Sequence, residues 1–228
     1  MTALLFFTAS AVPIAGTTDV RFATRSMADP VPRTLAALRR AEAQCTRCPL
    51  YQNATQVVPG EGPQQAPLMM VGEQPGNDED VAGHPFVGPA GKVLDRAIAD
   101  AGLDRTAIFV TNAVKHFKFE IRGKRRLHKR PDSYEIERCK WWNDMERKLV
   151  RPALIVALGA TAARSLTGKP VAVQKIRGAL LTLEDGAKLI VTTHPSALLR
   201  IPDREERHLQ YSAFVKDLKR CAKYLNAA

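Results

Sequence analysis

Four short apolar runs, separated by longer segments with helical periodicity, are the feature that most constrains the fold of this chain. The runs cover residues 67–72, 107–114, 153–158 and 188–193. Each has the length of a buried β-strand and is bounded by polar or turn-forming residues. Strands that alternate with helices along a chain pack as a parallel sheet with helices on both faces. The sequence therefore predicts an α/β fold of three layers, with a four-stranded parallel sheet flanked by helices.

The helical segments are predicted from apolar residues spaced three and four positions apart. They cover residues 33–44, 90–101, 133–150, 161–166 and 203–225. Ligands of open α/β sheets bind at the carboxyl ends of the strands. The predicted strand ends carry Glu73 and Gln74, then Asn112, then Leu158 and Gly159, and then His194 and Ser196. A ligand site is therefore expected at this edge of the sheet.

Composition limits the class of protein and its partners. The 228 residues are 45% hydrophobic and carry a formal net charge of +11, which predicts a packed core and an acidic partner, most commonly nucleic acid. We expect residues 1–26 to be either a poorly ordered tail or an extension upstream of a true start at Met27, and residues 27–228 to form a single domain. The apolar stretch at residues 1–16 is too short to span a bilayer. No membrane partner is expected, and we predict a cytoplasmic, nucleoid-associated monomer.

A cationic segment with one histidine lies at residues 122–130. His128 follows Lys124, Arg125 and Arg126. Cations at this density indicate contact with phosphates, and a neutral imidazole is a nucleophile toward electron-poor carbon. The alternative is a solvated basic loop in which the histidine is incidental.

Cysteine spacing indicates a metal centre. Cys45 and Cys48 form a C-x-x-C pair, and Cys139 and Cys221 lie far along the chain. This spacing suits either metal binding or redox exchange. A thioredoxin-type redox motif would follow a first strand, and no predicted strand precedes Cys45.

Five ordered motifs resemble those of the iron–sulfur uracil-DNA glycosylases. They are Gly72-Glu-Gln-Pro-Gly76, His84-Pro-Phe-Val-Gly-Pro-Ala-Gly91, Thr111-Asn-Ala-Val-Lys115, Lys124-Arg-Arg-Leu-His128 and His194-Pro-Ser196. The first and fourth are similar to those of the DNA-cross-linking branch called UdgX, whose loop commonly ends Arg-Arg-Ile-His. Leu127 replaces that isoleucine. The resemblance covers roughly residues 35–225 and implies a uracil-DNA glycosylase-like fold.

The resemblance also implies how a uracil base would be recognised after it leaves the DNA stack. Phe86 would stack on the base, and the amide of Asn112 would read its O4 and N3 edge. His194 would donate a hydrogen bond to O2 as charge develops there. Backbone amides around Gln74 and Gly76 would add further donors.

Glu73 and His128 are the residues that the resemblance places at the sugar. Glu73 would stabilise the cationic sugar and orient the imidazole or take its proton. His128 would then attack C1′ in place of water and leave the protein covalently attached to the abasic site, as a single-turnover reactant. The surrounding cations would keep the imidazole neutral. The branch resemblance further implies a preference for single-stranded DNA.

DNA contacts are expected outside the base pocket as well. Lys124, Arg125 and Arg126 would hold phosphates. Ser196 would begin a segment that contacts DNA after His194, although a buried helix turn explains this segment equally well. Asp80 would help to hold the substrate loop, although a solvated acidic turn explains it equally well.

Several of these residues also have simpler structural explanations. Phe86 is equally typical of a core, Asn112 of a strand-to-loop cap and Glu73 of a helix N-terminus. Two other hypotheses about the function of the whole chain are open. One is a turnover glycosylase in which His128 only contacts phosphate, and the other is a non-catalytic, metal-stabilised nucleic-acid-binding module.

The resemblance implies a four-iron, four-sulfur cluster with a structural role. Cys45, Cys48 and Cys139 match three ligand positions, and His116 occupies the fourth, where the family usually has cysteine. Imidazole can replace thiolate as a cluster ligand. Cys221 is the rival fourth ligand, and zinc is the rival metal.

Overall fold

The computed structural model describes residues 31–227. Residues 32–227 lie in one compact unit, and the expectations for residues 1–26 and for a domain start at residue 27 lie outside the described residues. No helix in the described part is both long and apolar enough to cross a membrane.

Within residues 31–227 the strands form a central sheet and a separate hairpin. The strands are β1 (Leu68–Gly72), β2 (Ile108–Asn112), β3 (Phe119–Arg122), β4 (Arg125–His128), β5 (Leu154–Leu158), β6 (Leu180–Thr182) and β7 (Lys188–Thr192). The central sheet has the order β2-β1-β5-β7-β6. Its first four strands are parallel, which confirms the predicted arrangement, and β6 pairs antiparallel with β7. The prediction of four strands missed β6, which has only three residues and is largely exposed.

Helices cover both faces of the sheet, as predicted. They are α1 (Leu35–Glu42), α2 (Asn77–Ala82), α3 (Pro89–Asp100), α4 (Ser133–Val150), α5 (Ala160–Thr167), α6 (Val173–Ile176), α7 (Pro195–Leu199) and α8 (Arg204–Leu225), with 3₁₀ turns at Pro49–Gln52 and Arg105–Ala107. The five longer helices coincide with the predicted segments. The unpredicted α2, α6 and α7 have only four to six residues each, which is too short for helical periodicity to register.

Strand β1 shows why the sheet is buried on both sides. Leu68 and Met70 pack into the core that α3 and α8 close, whereas Met69 and Val71 pack into the opposite core beside α5. All four side chains are at most 1% exposed. Successive side chains of a strand point to opposite faces, so a continuous apolar run is required where both faces are covered.

The second half of the cationic segment is a strand rather than a loop. β3 and β4 form an antiparallel hairpin in which Phe119 lies opposite His128 and Arg122 opposite Arg125. Gly123, with φ of 62°, begins the two-residue turn, and glycine is favoured where a tight hairpin turn requires positive φ. His128 is the last residue of β4, and the hairpin places it close to the carboxyl edge of the sheet.

Candidate active site

A pocket opens at the carboxyl edge of the sheet, where the sequence predicted a ligand site. It has a volume of about 320 Å³, within the range of small-molecule sites. Its lining residues are Gln74, Gly76, Asn77, Asp78, Glu79, Phe86, Pro89, Ala90, Asn112, His128, His194, Ser196, Leu199 and Arg200. A larger cavity, of about 930 Å³, lies by the C-terminal end of α4 and contains none of the predicted site residues. We take the smaller pocket as the candidate site because three strand ends and the hairpin converge on it.

Phe86 forms an aromatic wall of this pocket in a strained backbone conformation. Its φ is 59°, which is rare for a bulky residue. Two glycines make this placement possible. A Cβ on Gly91 would lie 1.6 Å from the Phe86 carbonyl oxygen, and one on Gly72 would lie 2.6 Å from Phe86 Cζ. Strain that the surroundings hold in place is characteristic of functional sites.

Asn112 presents an unengaged amide to the pocket from the end of β2. Its main-chain carbonyl accepts hydrogen bonds from Lys115 Nζ at 3.1 Å and Asn143 Nδ2 at 3.2 Å. Within residues 31–227, its side-chain amide has no hydrogen-bond partner, although the residue is only 3% exposed. An amide that is nearly buried needs such partners, and a ligand in the pocket would supply them.

His194 caps the N-terminus of α7, and this contact defines its tautomer. Its Nδ1 accepts the Ser196 N–H at 3.2 Å and lies 2.8 Å from Ser196 Oγ. A ring nitrogen that accepts a backbone N–H carries no proton, so the proton of a neutral ring is on Nε2. Removal of the ring from water lowers the pKa of His194 to about 4, against the opposing effect of the Glu73 carboxylate. His194 is therefore a neutral N–H donor, and its ring lies 6.3 Å from that of Phe86 at an angle of 28°.

His128 lines the pocket, and it faces Glu73, which is adjacent to the lining residue Gln74. His128 Nε2 lies 3.4 Å from Glu73 Oε1, and the side chains are 40% and 23% exposed. Burial lowers the pKa of His128, the Glu73 carboxylate opposes this change and the Arg200 cation adds to it. The imidazole is thus neutral at neutral pH, as expected from the sequence. The cause differs from the expected one, because burial dominates and the cation involved is Arg200 of the pocket rather than a lysine or arginine of the hairpin.

Gln74 holds the open end of the hairpin. Its Nε2 donates to the carbonyls of Lys118 at 3.0 Å and Lys129 at 3.1 Å, and its Oε1 accepts the Lys118 N–H at 3.2 Å. One side chain therefore joins the residues that flank β3 and β4. The sequence had assigned ligand donors to the Gln74–Gly76 backbone, whereas here the Gln74 side chain positions the strand that carries His128.

Arg126 and Asp80 form an internal pair beneath the hairpin. Arg126 Nη1 lies 2.6 Å from Asp80 Oδ2, and its guanidinium also lies over the rings of Phe117 and Phe119 at 5.5 and 5.1 Å. Asp80 is fully buried and also accepts the Thr55 N–H. Arg126 is therefore engaged inside the protein and Asp80 does not line the pocket, while Lys124 and Arg125 are exposed.

The three cysteines of the predicted metal centre lie in one buried cluster between α1 and α4. Cys45 accepts a hydrogen bond from Trp142 Nε1 at 3.1 Å, and Cys139 accepts one from the Lys115 N–H at 3.3 Å. Cys48 is 5% exposed in the same cluster. Cys221 instead packs in the core formed by α3 and α8 and donates to the Asp217 carbonyl.

His116 follows Lys115 directly and is 5% exposed. Its Nδ1 is buried and, within residues 31–227, has no hydrogen-bond partner. An orphaned ring nitrogen of this kind suits a metal ligand. In the described part of the chain, however, no three histidine, cysteine or acidic side chains are arranged to hold a single metal ion. Three buried thiols and an orphaned imidazole nitrogen are donor types that either an iron–sulfur cluster or a zinc ion accepts.

Sequence reasoning missed three residues of the site. Thr161 donates to Glu73 Oε2 at 2.6 Å, Arg130 Nε donates to Thr161 Oγ1 at 3.3 Å, and Arg200 Nη2 donates to Ser196 Oγ at 3.1 Å. The position of Thr161, just after the end of β5, was the available signal, since that strand end was expected to reach the site.

The fold and the site together define an α/β protein with helices on both faces of its sheet and a pocket at the carboxyl edge of that sheet. Residues 59–219 match the family described as the Uracil DNA glycosylase superfamily, and the chain belongs to this family. It is 37% identical over 167 residues to a type-4 uracil-DNA glycosylase of Thermotoga maritima, covering 73% of this chain and 83% of that protein. It is 33% identical over 171 residues to the type-4 uracil-DNA glycosylase of Archaeoglobus fulgidus, covering 72% and 82%.

Proposed function

We propose that this protein excises uracil from DNA and captures the resulting sugar covalently on His128. Membership of the superfamily and the names of its relatives support the glycosylase activity. The observation that carries the covalent step is a neutral imidazole that lines the pocket and lies 3.4 Å from a carboxylate.

The base would be recognised by the deeper part of the pocket. The ring of Phe86 stacks on uracil, and the free amide of Asn112 pairs with O4 and the N3–H, an arrangement that rejects cytosine. The Nε2–H of His194 donates to O2, where negative charge accumulates as the base departs. The neutral state of His194 supports this role because its ring keeps that proton over the whole physiological pH range.

The sugar would react between Glu73 and His128. The bond from C1′ to uracil N1 breaks with its electron pair leaving on the base, and Glu73 stabilises the positive sugar. The lone pair of His128 Nε2 bonds to C1′ while the ring proton stays on Nδ1, and the Glu73 carboxylate stabilises the imidazolium that results. The adduct is proposed to persist, which would make the protein a single-turnover reactant.

Formation of a denaturation-resistant complex tests this proposal. Single-stranded DNA with one uracil should yield a complex that survives boiling in detergent. His128→Ser should abolish the complex while uracil release continues, and His208→Ser, at an exposed position of α8, should leave both unchanged. Normal cross-linking by His128→Ser would refute the assignment of the nucleophile.

A turnover uracil-DNA glycosylase is the second candidate, and the names of the curated relatives favour it. It predicts several uracils released per protein molecule and no resistant complex. A non-catalytic binding module would instead show salt-sensitive binding that does not distinguish uracil from thymine.

The preference for single-stranded DNA is part of the proposal and is supported by the resemblance of the Lys124–His128 segment to the cross-linking branch. Lys124 and Arg125 are the exposed cations of this segment and would contact phosphates beside the flipped nucleotide. Cross-linking rates on matched single- and double-stranded substrates measure the preference.

We further propose that Cys45, Cys48, His116 and Cys139 hold a four-iron, four-sulfur cluster. The three buried thiols in one cluster and the orphaned Nδ1 of His116 support this set. The cluster would be structural, joining α1 to the segment that leads into the hairpin, because base excision requires no electron transfer. Visible absorption with matching iron and sulfide content is expected, and a colourless protein with bound zinc would contradict it.

A further inference from the structure

The carboxylate of Glu73 is held from two sides. Its Oε1 faces His128 Nε2, and its Oε2 accepts a hydrogen bond of 2.6 Å from the hydroxyl of Thr161. Thr161 lies in the first turn of α5, just after β5. None of the sequence motifs contains it.

The direction of hydrogen bonding around Thr161 is fixed. Arg130 Nε lies 3.3 Å from Thr161 Oγ1, and a guanidinium can only donate. The hydroxyl must therefore accept from Arg130, and its single proton is left for Glu73 Oε2. The three residues form a one-way chain that ends on the carboxylate.

Burial makes the Thr161 hydroxyl difficult to replace. Thr161 is 1% exposed, so water has little access to its Oγ1. Its β-branched side chain also restricts χ1, which fixes the hydroxyl relative to α5. Arg130, in contrast, has a side chain that is 66% exposed and lies 3.9 Å from Glu73 Oε2, so its own attraction for the carboxylate is screened.

We propose that Thr161 is the positioning residue for Glu73, and that it sets the carboxylate so that Oε1 faces His128 and the reacting sugar. This inference rests on the proposed glycosylase function. Thr161 touches neither base nor sugar and acts only through Glu73. Without its hydroxyl, the Glu73 side chain is free to rotate, and Oε1 is no longer held against the imidazole.

A merely structural role for Thr161 predicts a different pattern. A buried hydroxyl in a first helical turn also stabilises the fold by a hydrogen bond. In that case its loss would lower the melting temperature, and any effect on activity would be independent of Glu73.

Single-turnover rates of uracil release and cross-linking in Thr161→Val and Thr161→Ser test the proposal. Thr161→Val should slow the chemical step by roughly ten- to a hundredfold, as expected for losing a hydrogen bond to a charged group. Thr161→Ser keeps the hydroxyl and should stay within about threefold of wild type, on the scale of a small packing change. Thr161→Ala serves the same purpose as the valine variant if valine prevents folding.

Thr192→Val is the matched control. Thr192 is fully buried, and its hydroxyl donates to the Asp217 carboxylate at 2.7 Å outside the pocket. The Thr192→Val variant should lose as much stability as Thr161→Val, but it should release uracil at the wild-type rate.

Combining Thr161→Val with Glu73→Gln distinguishes a positioning role of Thr161 from a purely structural role. If Thr161 acts through Glu73, the double variant should be no slower than Glu73→Gln alone. Equal slowing by Thr161→Val in both backgrounds would overturn the inference, as would a wild-type rate in Thr161→Val. A wild-type protein that releases no uracil would instead refute the proposed function itself.

A titration of His128 followed by NMR gives a readout that does not depend on activity. The Glu73 carboxylate raises the pKa of His128 against the effect of burial. Release of Glu73 in Thr161→Val should therefore lower that pKa, and Thr161→Ser should leave it unchanged. An unchanged pKa in Thr161→Val would show that Glu73 keeps its position without the hydroxyl.

Discussion

His194 shows how a single local contact determines the chemistry available to a residue. Its Nδ1 accepts a hydrogen bond from the N–H of Ser196 and so caps the N-terminus of α7. Only Nε2 can therefore carry the proton of the neutral ring. The sequence shows a histidine before a proline, which is typical of a helix start. The tautomer depends on which ring nitrogen meets the helix, and this contact is visible only in three dimensions.

At the residue scale, cross-linking should depend on the protonation state of His128. An imidazolium has no free electron pair, so the rate should fall as pH drops through the pKa of this residue. Burial and Arg200 lower that pKa below its usual value near 6.5. We therefore expect a constant rate at neutral pH and above, and a decline only at a pH below the usual pKa of histidine. Single-turnover cross-linking across this range measures it.

Arg200→Gln tests the effect of the neighbouring cation on this pH dependence. Removal of the cation should raise the pKa of His128 and move the decline to higher pH. Arg204→Gln, at the exposed start of α8, should leave the profile unchanged. A profile centred above pH 7 in the wild type, or one that Arg200→Gln moves to lower pH, would contradict a neutral nucleophile.

At the scale of elements, the β3–β4 hairpin is positioned by contacts at its base. Gln74 bridges Lys118 and Lys129, and Arg126 binds Asp80 of α2. These contacts orient the strand that ends in His128. The hairpin is therefore part of the active site through its placement rather than through its charge alone.

Gln74→Ala should uncouple base release from capture of the sugar. Loss of three hydrogen bonds frees the hairpin base, and displacement of a reacting group by a small distance slows its reaction strongly. We expect cross-linking to slow by roughly tenfold or more while uracil release changes less. The ratio of the two rates in a single-turnover assay is the measurement.

Gln64→Ala, at an exposed position, is the control for Gln74→Ala and should match wild type. Equal losses of both activities in Gln74→Ala would show that Gln74 acts on the base instead of on the hairpin.

Strands with at least four buried residues in succession were predictable from the sequence, and the short, exposed strands β3, β4 and β6 were not. β1 has five buried residues in succession, a pattern that only a doubly covered strand requires. β4 has none that is fully buried, because the hairpin packs one face on Phe117 and turns the other to solvent. A strand of four such residues has no distinct signature in the sequence.

At the scale of the whole molecule, residues far apart in sequence meet only through the sheet order. Because β1 lies between β2 and β5, Glu73 is adjacent both to Asn112 at the end of β2 and to Thr161 after β5. The motifs predicted the first of these neighbours. The contact of Thr161 with Glu73 was missed because it depends on the order of the strands in the sheet, which the motifs do not contain.

The net charge of +11 is also a property of the whole molecule, and it should not act uniformly on DNA. We expect the exposed hairpin cations Lys124 and Arg125 to contact phosphates and cations on α8 to remain distant. On single strands each phosphate contact contributes roughly 0.7 to the slope of log affinity against log salt. Lys124→Ala with Arg125→Ala should therefore reduce the slope by about 1.4, measured by fluorescence anisotropy on single-stranded DNA without uracil.

The pair Lys216→Ala and Lys219→Ala removes the same charge from exposed positions of α8. If that pair reduces the slope equally, DNA binding follows net charge and the hairpin is not its contact surface.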